Sequence, residues 1–217
     1  MLSPSGLAAS DMKLSSIKRV LGRMAGFFGV HYYDLFYCEK SLHSGVEAVA
    51  SPIDLEIRRA GVEDLEYIIG RLGPEIAKNF DHAKSIGSVC YVAVHDSKIA
   101  GYSWANREVV DLVGMCVARL PQEGSFNYNS LVFEEFRGKK VFQSLMGAVY
   151  REMREAGCTF TANLVAKLNA PSVAARERFG VKFQGVRFVK FPLLNPIPIG
   201  RRIAVGAAVS DKPPTRL

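Results

Sequence analysis

The chain of 217 residues is long enough for one domain with appendages or for two small domains, and too short for a large multidomain protein. Hydrophobic residues make up 48% of the sequence and charged residues 23%, which excludes a chain that is disordered throughout. The 28 lysines and arginines outnumber the 21 aspartates and glutamates, so the formal net charge is +7. This excess favours anionic partners, among them phosphorylated cofactors, nucleic acid and acidic lipid, without selecting one.

The cysteines and histidines show neither the spacing of a metal site nor that of a small disulfide framework. No CxxC pair occurs, and the histidines are scattered. The sequence therefore predicts no metal, and reduced thiols in a cytoplasmic protein. The residues concerned are Cys38, Cys90, Cys116 and Cys158, and His31, His43, His82 and His95.

The N-terminal part of the chain predicts two segments ahead of the main domain. Residues 1–12 mix Ser, Pro, Gly and Ala without periodicity and are expected to form a disordered leader. Residues 13–52 are expected to form an amphipathic helix and a linker, with a short extended segment over 30–37. The basic helix over 13–24 could contact a membrane surface, but charges interrupt the apolar stretch that follows, so no membrane-spanning helix is predicted.

Residues 53–194 predict an α/β domain, because strand and helix patterns alternate along them. Two β-prone runs joined by Asp96-Ser97 have the length of a hairpin, which makes the sheet mixed. Residues 105–124 are expected to form a strand extension or a long loop, and residues 195–217 a flexible tail. Strands are predicted at 54–58, 89–95, 98–104, 125–133, 159–166 and 182–191, and helices at 62–72, 75–85, 141–156 and 172–179.

The most informative segment joins the strand near Phe133 to the helix that follows it. The basic turn Arg137-Gly138-Lys139-Lys140 lies at the N-terminus of that helix, where unpaired backbone N–H groups and the helix dipole favour an anion. Gly138 lets the backbone approach a ligand closely, and the lysines can add phosphate contacts. The pattern predicts an anion-binding cradle, although such a run is also typical of a solvated turn.

About thirty residues later, Asn169-Ala170-Pro171-Ser172 opens another helix directly after a strand. The order of these features resembles the GNAT family of acyl-CoA N-acyltransferases. The resemblance covers roughly residues 55–191. In chain order it rests on Arg58-Arg59-Ala60, Val62-Glu63-Asp64, Tyr91-Val92-Ala93-Val94, Ile99-Ala100-Gly101-Tyr102, the 137–142 turn and the Asn169-x-x-Ser172 helix.

The resemblance implies a mixed, mostly antiparallel sheet that splays between its fourth and fifth strands, is flanked by helices, and holds acetyl-CoA or another acyl-CoA in the split. The backbone of the fourth strand would pair with the pantetheine amides, and the cradle would bind the pyrophosphate. The Asn-x-x-Ser motif would contact the pantetheine arm and the nearby phosphates. The implied donor-binding residues are Leu131, Val132, Phe133, Arg137, Gly138, Lys139, Lys140, Val141, Phe142, Asn169 and Ser172.

Two positions in the cradle depart from the family pattern. The family loop usually reads Arg/Gln-x-x-Gly-x-Gly/Ala, whereas Lys140 and Phe142 occupy the two small positions here. Phe142 would crowd a nucleotide if it pointed at it. Acyl carrier protein, whose phosphopantetheine arm lacks the adenosine diphosphate, is therefore an alternative donor, and a basic surface would suit that acidic partner.

The expected proton-transfer groups also depart from the family. Arg176 stands where many relatives carry a tyrosine that protonates the leaving thiolate, and it could stabilise that thiolate as a cation. Glu123, near the start of the fourth strand, lies in the region where relatives carry a base, and Tyr128 could act through water. Trp104 and Phe126 are possible walls of the acceptor pocket. Each of these residues also has an ordinary structural explanation.

The expected function is transfer of an acetyl or other acyl group from acyl-CoA to a small-molecule primary amine by direct attack, with a backbone N–H of the fourth strand binding the oxyanion. An acyl carrier protein-dependent synthase of N-acyl amino acids or amines is one alternative. A catalytically silent acyl-CoA-binding module is another. Nucleic acid binding is disfavoured, because no aromatic platform accompanies the basic residues. The sequence does not give the acceptor or the oligomeric state.

Overall fold

The computed structural model describes residues 30–43, 49–111 and 117–190, with the short pieces 197–198, 204–205 and 215–216. The predicted leader over 1–12 and the predicted amphipathic helix over 13–24, with its membrane contact, lie outside the described residues. Among the helices that are described, none combines the length and the apolar character that crossing a membrane requires.

The described elements alternate between strands and helices along most of the chain. The helices are α1 (Val62–Leu72), α2 (Glu75–Ser85), a 3-10 turn (Glu134–Phe136), α3 (Val141–Glu155) and α4 (Ala170–Glu177). The strands are β1 (His31–Ser41), β2 (Glu56–Arg59), β3 (Val89–His95), β4 (Lys98–Asn106), β5 (Val109–Asp111), β6 (Val117–Arg119), β7 (Gly124–Val132), β8 (Phe160–Ala166), β9 (Lys182–Lys190), β10 (Ile197–Pro198), β11 (Ala204–Val205) and β12 (Thr215–Arg216).

One sheet of eight strands organises the fold, in the order β10-β9-β1-β8-β7-β4-β3-β2. Neighbouring strands are antiparallel except β7 and β8, which are parallel. The strand β7 is the fourth and β8 the fifth of the strands that the sequence predicts in its main domain. The predicted fold class, a mixed and mostly antiparallel sheet flanked by helices, is confirmed.

Local sequence signals explain where the elements begin and end. The amide of Gly61 donates to the carboxylate of Asp64 at 2.7 Å, which closes the first turn of α1. Gly73 ends that helix with a φ of 94°, in a region that favours glycine. The β3–β4 turn places Asp96 and Ser97 at φ values of 46° and 61°, as a two-residue hairpin requires.

The strand β1 differs from the sequence expectation. The sequence predicts only a short extended segment over 30–37, within a helix-and-linker region. In the structure, the eleven residues of β1 lie inside the sheet between β8 and β9. Adjacent side chains such as Tyr37 and Cys38 point to opposite faces and are both buried. A strand with two buried faces fits only the interior of a sheet.

Residues 105–124 also differ from expectation. The sequence predicts a strand extension or a long loop there. The structure extends β4 to Asn106 and then forms the β5–β6 hairpin as a separate two-stranded sheet. Val110 and Leu120 of this hairpin pack on a second apolar cluster formed by β1, β7, β8 and β9. In the tail, β10 pairs with β9, and β11 pairs with β12.

Candidate active site

The strands β7 and β8 separate along their length. They pair from Gly124 opposite Phe160 to Phe126 opposite Ala162, and no further. The strand β7 continues to Val132 and β8 continues to Ala166. The backbone of both strands therefore borders an opening that begins after Phe126, in the interior of the sheet.

A bulge in β7 lies beside this opening. Trp104 pairs with Tyr128 and Tyr102 with Leu131, so β7 carries one more residue than β4 over this interval. Asn129, inside the bulge, has a φ of 46°, and its side-chain oxygen accepts a hydrogen bond from the Tyr102 hydroxyl at 3.3 Å. A bulge turns backbone groups out of the ladder, and here it does so at the edge that faces the opening.

The backbone of β7 just after the bulge also faces the opening. The amide of Phe133 donates to the carbonyl of Ala100 on β4 at 3.0 Å. Because successive residues of a strand direct their N–H and C=O groups to opposite sides, the peptide groups of Val132 face away from β4. Of the sequence-predicted residues Leu131, Val132 and Phe133, Val132 is therefore the one whose N–H and C=O groups face the opening.

The helix α3 begins at the mouth of this opening without a side-chain cap. Its N-cap residue is Lys140, and no side chain accepts from the first-turn amides. The first N–H groups of a helix have no partner within the helix. Gly138 has a φ of 77° in the turn just before the helix, so the turn takes a path that other residues rarely adopt. The result is a cradle of amide donors at a helix N-terminus.

Lys140 adopts the left-handed conformation, with a φ of 56°. This is one of the two positions where the family usually carries a small residue, so the backbone here is of the kind that glycine favours although the side chain differs. The neighbouring turn is tied to the segment before β2, because the Ser51 hydroxyl donates to the carbonyl of Lys139 at 2.7 Å. Lys139 itself places its ammonium group 5.4 Å from the ring centre of Phe136.

Phe142 points from α3 toward α4. Its ring centre lies 6.3 Å from that of Phe179 in an edge-on arrangement, and the guanidinium carbon of Arg176 lies 5.5 Å from the ring centre. The ring therefore packs between the two helices that flank the opening. In this position it narrows the space between α3 and α4.

Arg176 is a buried residue of α4. Its Nε donates to Oδ1 of Asn163 on β8 at 2.5 Å, and its Nη1 donates to the carbonyl of Ser172 at 3.2 Å. Burial lowers the pKa of the guanidinium, and the nearby Tyr150 and Cys38 act in the opposite direction. Arginine keeps its charge in proteins, so a cation is held beside the opening.

Two titratable groups near the Arg176 guanidinium, those of Cys38 and Tyr150, are uncharged. Burial raises the pKa of the Cys38 thiol to about 12, and the positive charge of Arg176 opposes that shift. Burial likewise raises the pKa of the Tyr150 hydroxyl to about 12, with Arg176 again opposing. Both groups therefore stay protonated near neutral pH, and neither neutralises the guanidinium.

The Asn-x-x-Ser motif forms the start of α4. The side-chain oxygen of Asn169 accepts from the amide of Ser172 at 3.2 Å and caps the helix, with Pro171 in the first turn. Asn169 is exposed and Ser172 is half-buried. The motif lies directly after β8, so it borders the opening on the side opposite α3.

The predicted proton-transfer residues lie in different places. Tyr128 is half-buried at the opening, and its hydroxyl donates to Ser88 Oγ at 2.7 Å. Glu123 is exposed and lies just before the part of β7 that pairs with β8. It lies four positions before Asn127, the first β7 residue beyond the pairing, and four positions span about 13 Å along a strand. The structure thus brings Tyr128 and Arg176 to the opening, but not Glu123.

Three polar residues at or near the opening have no counterpart among the sequence-predicted site residues. Asn163 receives the hydrogen bond of Arg176, and Asn127 donates to Thr161 Oγ1 at 2.7 Å. Glu39 is buried on β1. Each is a polar residue that is buried within a strand. Because the same strands carry other polar residues, no pattern in the sequence distinguishes these three.

The structure also contains a cavity of about 810 Å³. It borders the C-terminal end of α3, whereas the cradle lies at the N-terminal end, about 22 Å away along the helix. Glu152 in its wall accepts hydrogen bonds from Arg59 and from the Tyr91 hydroxyl. Arg107 at its rim donates to the carbonyl of Ala156. The cavity and the cradle therefore lie at opposite ends of α3.

The family model of the acetyltransferase (GNAT) family matches residues 62–181, which is more than half of the chain. The chain therefore belongs to the GNAT family, as the order of its motifs predicts. A comparison with curated protein sequences finds no match.

Solved structures share the fold at low sequence identity. A functionally unknown protein of Staphylococcus epidermidis has a TM-score of 0.55 and 14% identity, over 78% of this chain and 65% of that one. The glucosamine N-acetyltransferase region of a fungal GH3 β-N-acetylglucosaminidase has a TM-score of 0.54 and 14% identity, over 77% and 22%. A tandem GNAT protein from the clavulanic acid biosynthesis pathway has a TM-score of 0.52 and 17% identity, over 78% and 57%. The chain spans less than two thirds of each of these proteins.

Proposed function

We propose that this protein is an N-acyltransferase that moves an acyl group from acyl-CoA to a primary amine of a small molecule. The observation that supports this most is the opening between β7 and β8, which leads directly to the uncapped N-terminus of α3. An extended amide-containing arm can pair with the free strand edge, and a diphosphate can accept from the first-turn amides. Acyl-CoA carries both groups on one molecule.

The donor lies with its pantetheine arm along Val132 and its diphosphate on the turn from Gly138 to Val141. Asn169 and Ser172 contact the arm from the α4 side. Arg137 is exposed and Lys139 is half-buried at the rim, where they can approach phosphates. A basic rim and a helix N-terminus act in the same direction, because both favour negative charge.

A donor carried by acyl carrier protein is the second candidate. The ring of Phe142 between α3 and α4 favours it, because a phosphopantetheine arm without adenosine diphosphate needs less room. The uncapped helix N-terminus favours acyl-CoA instead, since one phosphate uses fewer of its amides than two do. The two donors are distinguished by the ratio of their kcat/KM values with the same acyl group.

The reaction is direct attack of the amine nitrogen on the thioester carbonyl. The C–N bond forms as the carbonyl oxygen becomes an oxyanion, and a backbone N–H at the β7 bulge stabilises it. The C–S bond then breaks, and the thiolate leaves toward the cation of Arg176. One proton of the ammonium nucleophile is released to a base, and a second passes to the thiolate. The products are an amide, free thiol and one proton.

The protein is proposed to act in the cytoplasm on a diffusible amine. The cysteines that the structure describes, Cys38, Cys90 and Cys158, are buried free thiols, as a reducing compartment permits. Turnover is the direct test. Purified protein is given acetyl-CoA and a panel of primary amines, and thiol release is compared with amide formation. Equal amounts of both support the transferase. Donor binding without amide formation for any amine would instead identify a silent binding module.

A further inference from the structure

Glu39 is the one carboxylate that is buried among the residues whose side chains the structure describes, with 4% of its surface exposed. Removing a carboxylate from water costs several kcal/mol unless it is paired and hydrogen-bonded. The hydroxyl of Tyr37 donates to Glu39 Oε2 at 2.8 Å. Glu39 is thus a buried, hydrogen-bonded carboxylate on a strand inside the sheet.

The ladder places Glu39 level with the start of the opening. Glu39 pairs with Ala162 on β8, and Ala162 pairs with Phe126 on β7. The pair of Phe126 and Ala162 is the last one before β7 and β8 separate. Paired residues share a face of the sheet, so these three side chains lie on one face. Two strand spacings separate Glu39 from Phe126, which is about 10 Å. Tyr37 lies opposite Leu164, where β8 has already left β7.

This face is the one away from the proposed donor helices. Cys38, between Tyr37 and Glu39 in sequence, points to the opposite face, and its ladder partner is Asn163. Asn163 receives the hydrogen bond of Arg176 from α4. The two charged groups therefore lie on opposite faces of the sheet, with the opening between β7 and β8 alongside them.

The surroundings of Glu39 suit a base that works on an ammonium ion. Burial, and secondarily the charge of Glu39, raise the pKa of Tyr37 far above its usual range, so the phenol stays a hydrogen-bond donor. Lys182 lies opposite Glu39 on β9 and is exposed. Val110 and Leu120 of the β5–β6 hairpin pack in the apolar cluster that also contains Tyr37.

We propose that Glu39 binds the ammonium group of the acceptor and takes its proton, with Tyr37 holding the carboxylate in place. This inference rests on the proposed transferase function. The carboxylate accepts one proton from R–NH3+, and the resulting R–NH2 attacks the thioester through the opening. The tetrahedral intermediate passes its second N–H proton to the departing thiolate, and Glu39 then releases its proton to solvent.

The test compares Glu39→Gln with Glu155→Gln, a matched change of an exposed carboxylate at the end of α3. We expect Glu39→Gln to lower kcat by roughly 10²-fold or more, and to abolish the fall in rate on the acid side of the pH profile. The dissociation constant for acetyl-CoA should not change. Glu39→Asp should recover part of the rate, and Glu155→Gln should behave as wild type.

A second variant keeps the carboxylate. Tyr37→Phe removes the hydroxyl that donates a hydrogen bond to the charged form of Glu39. The fall in rate on the acid side of the pH profile, here called the acid limb, should therefore move to higher pH. If the Tyr37–Glu39 hydrogen bond had only a structural role, Tyr37→Phe would lower the melting temperature and leave the acid limb at the same pH. That result overturns the proposal, as does an acid limb that disappears in Glu123→Gln and persists in Glu39→Gln. If wild type transfers to no amine, the proposed function fails first and this inference fails with it.

Discussion

Arg176 donates from Nε to Oδ1 of Asn163 across 2.5 Å, and this bond joins α4 to the strand β8 at the opening. It fixes a cation where relatives in the family usually carry a tyrosine. The cation keeps its place because the carbonyl of Ser172 accepts from the same guanidinium. A leaving thiolate would meet a fixed positive charge there rather than a proton donor.

The first prediction concerns that cation. Replacing Arg176 with Met removes a charge that only the transition state and the products can use, so kcat should fall by about 10²-fold while the acetyl-CoA dissociation constant changes little. The matched control is Arg178→Met, because Arg178 is exposed at the end of the same helix. Steady-state rates and equilibrium binding measure both. An equal loss of rate and affinity would show that Arg176 binds the donor in the ground state.

The second prediction concerns Gly138, which has a φ of 77°. An added Cβ meets no neighbour within 4 Å, so Gly138→Ala is strained through its backbone alone and should lower stability by about 1–2 kcal/mol. The matched control is Gly70→Ala in α1, where a helical glycine is equally uncrowded, and it should stabilise by about 0.5–1 kcal/mol. Chemical denaturation measures both changes. Only the Gly138 variant should also weaken binding of acetyl-CoA.

The third prediction concerns the left-handed conformation of Lys140. Lys140→Gly should relieve strain of about 1 kcal/mol, partly offset by the entropy of glycine, and should leave stability unchanged or slightly higher. Lys139→Gly, at a residue without positive φ, should instead cost about 0.5–1 kcal/mol. Equal effects of the two changes on the free energy of unfolding would contradict the strained conformation.

The fourth prediction concerns Phe142 and the choice of donor. Phe142→Ala removes the ring from between α3 and α4, so affinity for acetyl-CoA should rise relative to acetyl-phosphopantetheine by about tenfold, or 1.4 kcal/mol. Stability should fall by about 2 kcal/mol, because the ring packs on Phe179. Calorimetric binding of both donors to the same variant gives the ratio. An unchanged ratio would mean that the ring does not border the path of the nucleotide.

The fifth prediction concerns Cys38, a fully buried thiol whose pKa burial raises to about 12. The thiol therefore stays protonated at pH 8, and the thiolate is the reactive form. An alkylating reagent should therefore not modify Cys38 in the native protein, but should modify it in the unfolded protein. Mass mapping of the modified peptides gives the extent at this residue. Rapid modification in the native state would place Cys38 outside the core.

Much of the fold could be predicted because its elements carry local signals. The hairpin at Asp96-Ser97 and the helices over 62–72 and 75–85 are confirmed. The sequence does not predict the full length of β1, because the place of this strand between β8 and β9 depends on partners more than a hundred residues away. No local pattern shows which sheet an N-terminal strand will join.

Part of the candidate site could likewise be predicted from the sequence, and part of it is seen only in the structure. The turn at 137–140 and the Asn169 cap are local features that a sequence displays directly. The burial of Arg176 and its bond to Asn163 arise only when α4 packs on β8. Glu39 reads as an ordinary polar residue until its neighbours on both sides of the strand are known.

The central claim is that the donor lies on the first turn of α3 and along the free edge of β7. Hydrogen exchange with and without CoA tests it most directly. The account predicts that CoA slows exchange by about tenfold or more at the amides of residues 138–143 and at Val132, and leaves the cavity around Arg59 and Arg107 unchanged. Protection around that cavity, with none at the start of α3, would contradict the account.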